Sequence, residues 1–310
     1  MSPLRRGYAY GLGAYLIWGF FPLYIRLLLP AGALEILAHR VVWTVAFVAL
    51  LLTALRNWSF LRRLLRRPAE LAGITFAGVL IGANWGTYIY GINSERVVET
   101  ALGYFINPLV VVLLGVTVLG ERLRPMQWAA IGISGVAVAV LTVDYGRLPY
   151  LALALALTFG GYGLVKKRLA LPAAEGLFAE STVLALPAIG YLGWLAWRSD
   201  LAFGHVSAGH TTLLVLAGVV TAIPLLLFAG AANRIPLTGL GLMQYSNPTI
   251  QLACGVLIFH EPLPPARLAG FALVWLALII FTVDGIRQVR RRSRAALPDT
   301  APEPVAVTTR

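Results

Sequence analysis

The chain has 310 residues, of which 59% are apolar and only 12% charged, with 25 lysines and arginines against 13 acidic residues and a net charge of +12. A water-facing domain carries roughly 25% charged residues, so composition argues against a soluble enzyme, a disordered chain and a fibrous protein. Nucleic acid is a poor partner too, because the arginines stand in short runs between apolar stretches and form no single basic face. The lone cysteine, Cys254, permits no intrachain disulfide and reads as a small core residue.

A helix needs about 20 apolar residues to cross a bilayer. By that measure the sequence predicts ten spans, at 7–29, 32–55, 71–92, 96–119, 125–143, 148–168, 176–197, 210–232, 236–259 and 265–285. The first span follows Arg5 and Arg6 without a small-residue cleavage pattern and reads as retained. No alternation of period two runs through these stretches, which argues against a transmembrane barrel. From Arg287 the chain turns basic, then rich in proline and threonine, and is expected to be disordered. With the N-terminus on the cytoplasmic side, 19 of the 25 basic residues fall on inner segments and six outside. The excess of arginine and lysine on cytoplasmic segments therefore places both termini inside.

Sliding the sequence on itself by 140 residues aligns 102–144 with 242–284 at 13 of 43 positions, including Asn107/Asn247, Pro108/Pro248, Glu121/Glu261 and Asp144/Asp284. The same offset pairs Glu35 with Glu175, Arg26 with Lys166 and Asn93 with Asn233. Each half holds five spans, an odd number, so the second half enters the membrane upside down. The loop after span 2 carries five arginines and its counterpart after span 7 only Arg198, as that inversion requires. Inverted repeats are a common plan of secondary transporters, whose substrate site lies near the midplane between the halves.

Polar side chains inside spans are expensive and mark candidate sites. In chain order, Glu35 and His39 stand one turn apart at the start of span 2, with Arg40 about 9 Å deep at ~1.5 Å per residue. They read either as an interfacial anchor or as a mouth that titrates a proton or attracts an anion, with His39 the group nearest neutrality. Asn84 and Tyr88 share a face of span 3 beside Trp85, as cavity lining or as interhelical glue. In span 4, Tyr104 and Asn107 share a face, and Pro108 frees a carbonyl and disfavours a straight helix. Span 9 repeats this with Gln244, Asn247 and Gln251 around Pro248. The two Asn-Pro steps are expected as paired kinks that line a central cavity and gate it, against a reading in which they only join helices. Glu121 and Glu261 read as structural carboxylates at span ends. Gly11, Gly19, Gly132 and Gly135 permit close helix approach, a spacing too common to identify a dimer face, so a homodimer stays open. Neither a metal site, a phosphate loop nor a nucleophile with its base is expected, nor any cofactor, and catalysis is not.

Taken together, Trp18-Gly19 with Pro22, Glu35 with His39-Arg40, Asn84-Trp85, the run Leu102 to Pro108 with Glu121-Arg122-Leu123, and Gln244-Tyr245 with Asn247-Pro248-Thr249 resemble the RarD-like branch of the EamA family, in the drug/metabolite transporter superfamily. The resemblance covers about 7–286. Thr158 and Ala179 stand at the second-half equivalents of Trp18 and His39, so symmetric roles are not assigned. It implies an all-α integral membrane protein of ten transmembrane helices. They form two inverted five-helix repeats, 1–145 and 146–286, followed by a tail at 287–310. It also implies a permease of the bacterial cytoplasmic membrane, in contact with lipid, that moves a small organic metabolite or drug. Trp18 joins the cavity candidates on this basis. The alternative class is a membrane scaffold or sensor that transports nothing.

Overall fold

The computed structural model describes residues 2–120, 122–169, 171–232, 234–235 and 243–295, with side chains for all of these but 119, 167, 168 and 288–295. Glu121, Asn233 and the start of the ninth expected span lie outside them, as does the tail from 296. The described residues are helical throughout: α1 Pro3–Gly19, α2 Phe21–Arg26, α3 Ala33–Ala54, α4 Ser59–Leu65, α5 Pro68–Asn93, α6 Val97–Leu119, α7 Pro125–Tyr145, α8 Tyr150–Leu169, α9 Ala173–Trp197, α10 Ala208–Ala232, α11 Ser246–Ala253 with a π-helical turn Cys254–Ile258, and α12 Pro265–Ala295.

Local chemistry accounts for the boundaries. Ser2 caps α1 by accepting from the Arg5 N–H at 3.3 Å, and α5, α7 and α12 open on Pro68, Pro125 and Pro265, where the missing N–H costs no helical bond. The α6 and α7 ends are turned by Gly120 (φ 66°) and Gly146 (φ 63°), in the left-handed region that suits glycine. The first expected span is two helices, because Phe20 leaves the helical path and Pro22 stands in the first turn of α2. Helix α4 lies in what the sequence reads as an arginine-rich loop. Its Phe60 and Leu64, one turn apart, are buried while Arg62 and Arg63 face out. The last helix runs on to Ala295, past the point where a basic tail was expected to lose structure.

Six helices are long and apolar enough to cross a membrane: α3, α6, α7, α9, α10 and the first part of α12, to Arg287. The ten expected spans are therefore not all met by length and composition. Of the other four, α1 has 17 residues before its break, α8 is apolar only over Tyr150–Lys166, and α11 has eight residues before the π turn. Helix α5 has the length, 26 residues, but Asn84, Tyr88, Tyr90 and Asn93 dilute its apolar character. Leu50, Leu186, Val143 and Trp197 are more than two-thirds exposed, an outer surface that suits lipid and not water.

Packing is dominated by contacts between the first and second halves of the chain. Helix α3 lies between α9 and α10, α1 packs on α10 and α11, α8 packs on α5 and α6, α6 meets α11, and α7 pairs with α12. The α7–α12 pair is held at its two ends by ion pairs, Arg267 Nε to Asp144 Oδ2 at 2.9 Å and Arg124 Nη2 to Asp284 Oδ2 at 2.7 Å. Small residues set the closest approaches. A Cβ at Gly218 of α10 would stand 2.2 Å from the Trp43 carbonyl carbon of α3, and one at Gly103 would stand 2.9 Å from the Ala152 carbonyl oxygen of α8. Among the glycines singled out in the sequence, Gly11 and Gly19 face neighbours within 3.1 Å, whereas Gly132 and Gly135 face open space. Gly218→Ala should therefore lower stability by about 1–3 kcal/mol, the usual cost of overpacking, while Gly132→Ala leaves it unchanged; thermal melting of the two variants in detergent checks the contrast.

Candidate functional site

The polar candidates separate into three groups. The first lies where α2, α3, α5, α6, α8 and α10 meet. Asn84 of α5, 1% exposed, donates from Nδ2 to the Leu155 carbonyl at 3.0 Å and to Thr158 Oγ1 at 3.1 Å on α8. The Tyr104 hydroxyl stands 3.5 Å from Asn84 Oδ1, and its ring meets that of Tyr88 edge-on at 5.7 Å. Tyr88 in turn touches Phe21 at 6.2 Å, and its hydroxyl is buried without a hydrogen-bond partner. Thr158, at the second-half equivalent of Trp18, thus supports Asn84 by hydrogen bonding.

Arg40 belongs to this group and not with Glu35 and His39. It is 5% exposed, donates from Nε to Thr221 Oγ1 of α10 at 2.8 Å, and lies over the rings of Trp85 at 4.2 Å and Phe21 at 4.8 Å. One residue along a helix is a rotation of about 100°, enough to turn Arg40 inward while Glu35 and His39 share another face. Depth along the span gives the distance to the interface but not the direction in which the side chain leaves the helix.

Glu35 and His39 form the second group, against the connection between α9 and α10. Glu35 Oε1 accepts the N–H groups of Ala202 at 2.8 Å and Phe203 at 3.2 Å. His39 stacks on Phe203 at 4.7 Å, accepts from Trp43 Nε1 at 3.3 Å, and has its Nε2 3.9 Å from Glu35. These two residues fasten a loop. The 140-residue offset has a parallel here: Glu175 accepts from Asn57 Nδ2 at 2.9 Å, in the connection after α3. The pseudo-equivalent of Arg40 is the buried Glu180, which Lys166 Nζ meets at 2.5 Å and Tyr162 at 3.0 Å.

The third group joins α1 to α11. Gln251, 2% exposed, donates from Nε2 to the Trp18 carbonyl at 3.1 Å and to Asn247 Oδ1 at 2.9 Å, and its own Oε1 has no partner. Trp18 packs against Tyr15 and Phe228 and presents its carbonyl, not its ring, to the amides. Asn107 is buried with Oδ1 unpartnered. Gln244, half-buried before α11, makes no hydrogen bond among the described residues. Helix α6 continues past Pro108, whereas Pro248 stands in the first turn of α11, one turn after the helical Gln244 and beside the break at Tyr245. The irregular backbone of this segment is the π turn at Cys254–Ile258, which the sequence reading does not anticipate. The turn lies against α6: a Cβ at Gly255 would stand 3.0 Å from Val98 Cγ2, and Glu261 accepts the Val97 and Val98 N–H groups at 2.6 and 2.8 Å.

The central side chains are packed against one another. Two grooves lie at the surface, one of about 180 Å³ lined by Arg26, Glu95, Val97 and Phe259, and one of about 430 Å³ lined by arginines of α4 and the turn after it. No group of three or more metal-ligating side chains converges among the described residues. Removing the carboxylate that caps the α9–α10 connection, by Glu35→Ala, should speed amide exchange at Ala202 and Phe203 about 10- to 100-fold, the worth of hydrogen bonds to a charged acceptor; exchange mass spectrometry across 198–207 measures it.

Comparison with known proteins bears on this arrangement. Residues 5–143 match the EamA-like transporter family. A RarD protein of Streptomyces exfoliatus is 53% identical over 99% of this chain and 97% of its own length. The RarD protein of Escherichia coli is 40% identical over 94% and 98%, and an uncharacterized transporter of Bacillus subtilis 41% identical over 92% and 96%. A solved crystal structure, 20% identical, aligns with a TM-score of 0.56 over 91% of this chain and 98% of that one, which is a likeness of fold. With near-complete coverage on both sides, the chain belongs to the RarD-like branch of the EamA transporter family, within the drug/metabolite transporter superfamily, and is a multi-pass membrane protein.

Proposed function

We propose that the protein is a secondary transporter that moves a small organic metabolite or drug across the bacterial cytoplasmic membrane, with both termini in the cytoplasm. The observation that carries this is a set of buried polar side chains from both halves of the chain, on α5, α6 and α11, with unused hydrogen-bonding capacity. The Tyr88 hydroxyl, Asn107 Oδ1 and Gln251 Oε1 are buried and unpartnered. Each costs free energy in a low-dielectric interior unless a ligand or water meets it. A scaffold that only joins helices would gain by replacing them with apolar groups.

The ten-span plan, as two inverted repeats at 1–145 and 146–286, is supported by the pattern of helix contacts. Exchanging each helix for its equivalent 140 residues away turns the α6–α8 contact into α11–α1, α5–α8 into α10–α1, and α5–α9 into α10–α3, all of which occur. The α3–α9, α6–α11 and α7–α12 contacts turn into themselves. In this reading α1 with α2, α5, α8, and α11 with its π turn are the four remaining spans. They are short, polar or broken because they surround the site, where backbone and polar groups are met by protein.

Alternating access follows as a rocking of {α1, α10, α11} against {α5, α6, α8}, two groups that each draw on both halves. The contact of the π turn with the start of α6, beside the smaller surface groove, is then a gate that must open once per cycle. A Cβ at Gly255 would stand 3.4 Å from Val97 Cβ, near the range a disulfide spans. In a Cys254→Ser background, Val97→Cys with Gly255→Cys should block flux when oxidised and release it on reduction. A ligand found by thermal stabilisation, from amino acids, nucleosides, amphenicols and other small metabolites, supplies the tracer for reconstituted vesicles. Full flux in the crosslinked protein would sink the gate. Loss of the thermal shift and about tenfold loss of flux are expected in folded Asn107→Ala and Tyr88→Phe; both variants behaving as wild type would favour the scaffold reading.

A further inference from the structure

Every buried carboxylate among the described residues has its charge met. Glu99 pairs with Arg96 and Arg147, Glu175 with Arg63, Glu180 with Lys166, and Asp284 with Arg124, while Glu35 has two backbone N–H groups and His39. Arg40 is the exception: a guanidinium, 5% exposed, with no carboxylate at ion-pair distance among the described residues. Its Cζ lies over the rings of Trp85 and Phe21, and its Nε donates to Thr221. The edge that carries Nη1 and Nη2, four of its five N–H donors, makes no hydrogen bond among the described residues.

A ring contact uses the face of a guanidinium and leaves its edge to a planar oxyanion, which it binds through two parallel hydrogen bonds. Thr221 fixes the plane, because its hydroxyl donates to the Ala217 carbonyl at 2.7 Å and is left to accept from Nε. The unpartnered Tyr88 hydroxyl is within electrostatic reach of the same guanidinium, as is that of Tyr104. The geometry points to Arg40 as a binding site for the carboxylate of a singly charged organic acid, with Tyr88 as a further donor and Thr221 as a positioning residue. This rests on the transport reading and names the substrate class of that site. Charge counting favours a carboxylate over a phosphate: Arg40 is the one buried guanidinium or ammonium among the described residues, and Arg26 and Lys166 are paired with Glu95 and Glu180. One cation in a dry site neutralises one negative charge, and a dianion would leave the second uncompensated.

The test is thermal stabilisation of the full chain in detergent by matched acid and amide pairs, from acetate and acetamide to benzoate and benzamide and indole-3-carboxylate and its amide. Inorganic phosphate and the neutral and cationic compounds of the wider screen are further arms. Acids should act at concentrations at least about tenfold lower than their amides. Arg40→Gln should erase the difference, Arg40→Lys keep part of it, and Thr221→Val narrow it. The wild-type comparison of acid with amide needs no variant to fold. Equal action of acids and amides, or an acid preference that survives Arg40→Gln, overturns the carboxylate site. In that case a neutral or cationic compound whose effect depends on Asn107 leaves the transport reading standing. Phosphate acting through Arg40 in preference to carboxylates overturns the charge argument. Folded protein that responds to no compound overturns both readings.

Discussion

Within a bilayer there is no water to satisfy a polar group, so each must find its partner in protein. This constraint organises the bundle. It sends Asn84 to the Leu155 carbonyl, Gln251 to the Trp18 carbonyl and Glu180 to Lys166, in every case joining two helices and in the first two joining one half of the chain to the other. The apolar side chains can face lipid without cost, and many do. What selects one arrangement of helices is therefore the small set of polar contacts together with the glycines that let backbones meet, as at Gly218 and Gly103.

Most of the helical plan is legible in the sequence. Proline and glycine punctuate α6, α7 and α12, and the expected bounds for these agree with the observed starts within a residue. Helix α4 is not legible, because seven residues cannot register against a ruler of about 20, and its two buried residues make sense only with a neighbour to cover them. The π turn is equally silent, since it comes from the fit of Gly255 against Val98 and not from a residue signature.

That the polar candidates lie buried among the helices is largely legible in the sequence, and how they group is less so. Asn84, Tyr88 and Tyr104 are drawn together across two helices, as polar groups on single faces should be. Arg40 changes company: sequence proximity ties it to Glu35 and His39, whereas its helical rotation aims it at Trp85 and Phe21. Pro248 and Pro108 look alike in sequence yet occupy different helical positions, one in a first turn and one in mid-helix. The 140-residue offset pairs positions in the sequence, and local context decides what each does. The opposite signs of Arg40 and Glu180 are the clearest case, one with no carboxylate partner among the described residues and the other neutralised.

The α7–α12 clamp has a consequence for how the chain is made. Asp144 awaits Arg267, 123 residues downstream, and Arg124 awaits Asp284 near the end of the last helix. During synthesis α7 must enter the membrane with both ends unpartnered and stay so until the final helix emerges. Helices α1, α3 and α6 wait in the same way for α10, α9 and α8. Helices α1 to α7 have few partners among themselves, so the nascent chain passes through an interval as loosely associated helices. It closes in a late, concerted step once α12 is released, and a chain that stops short of that helix forfeits both ends of the clamp at once.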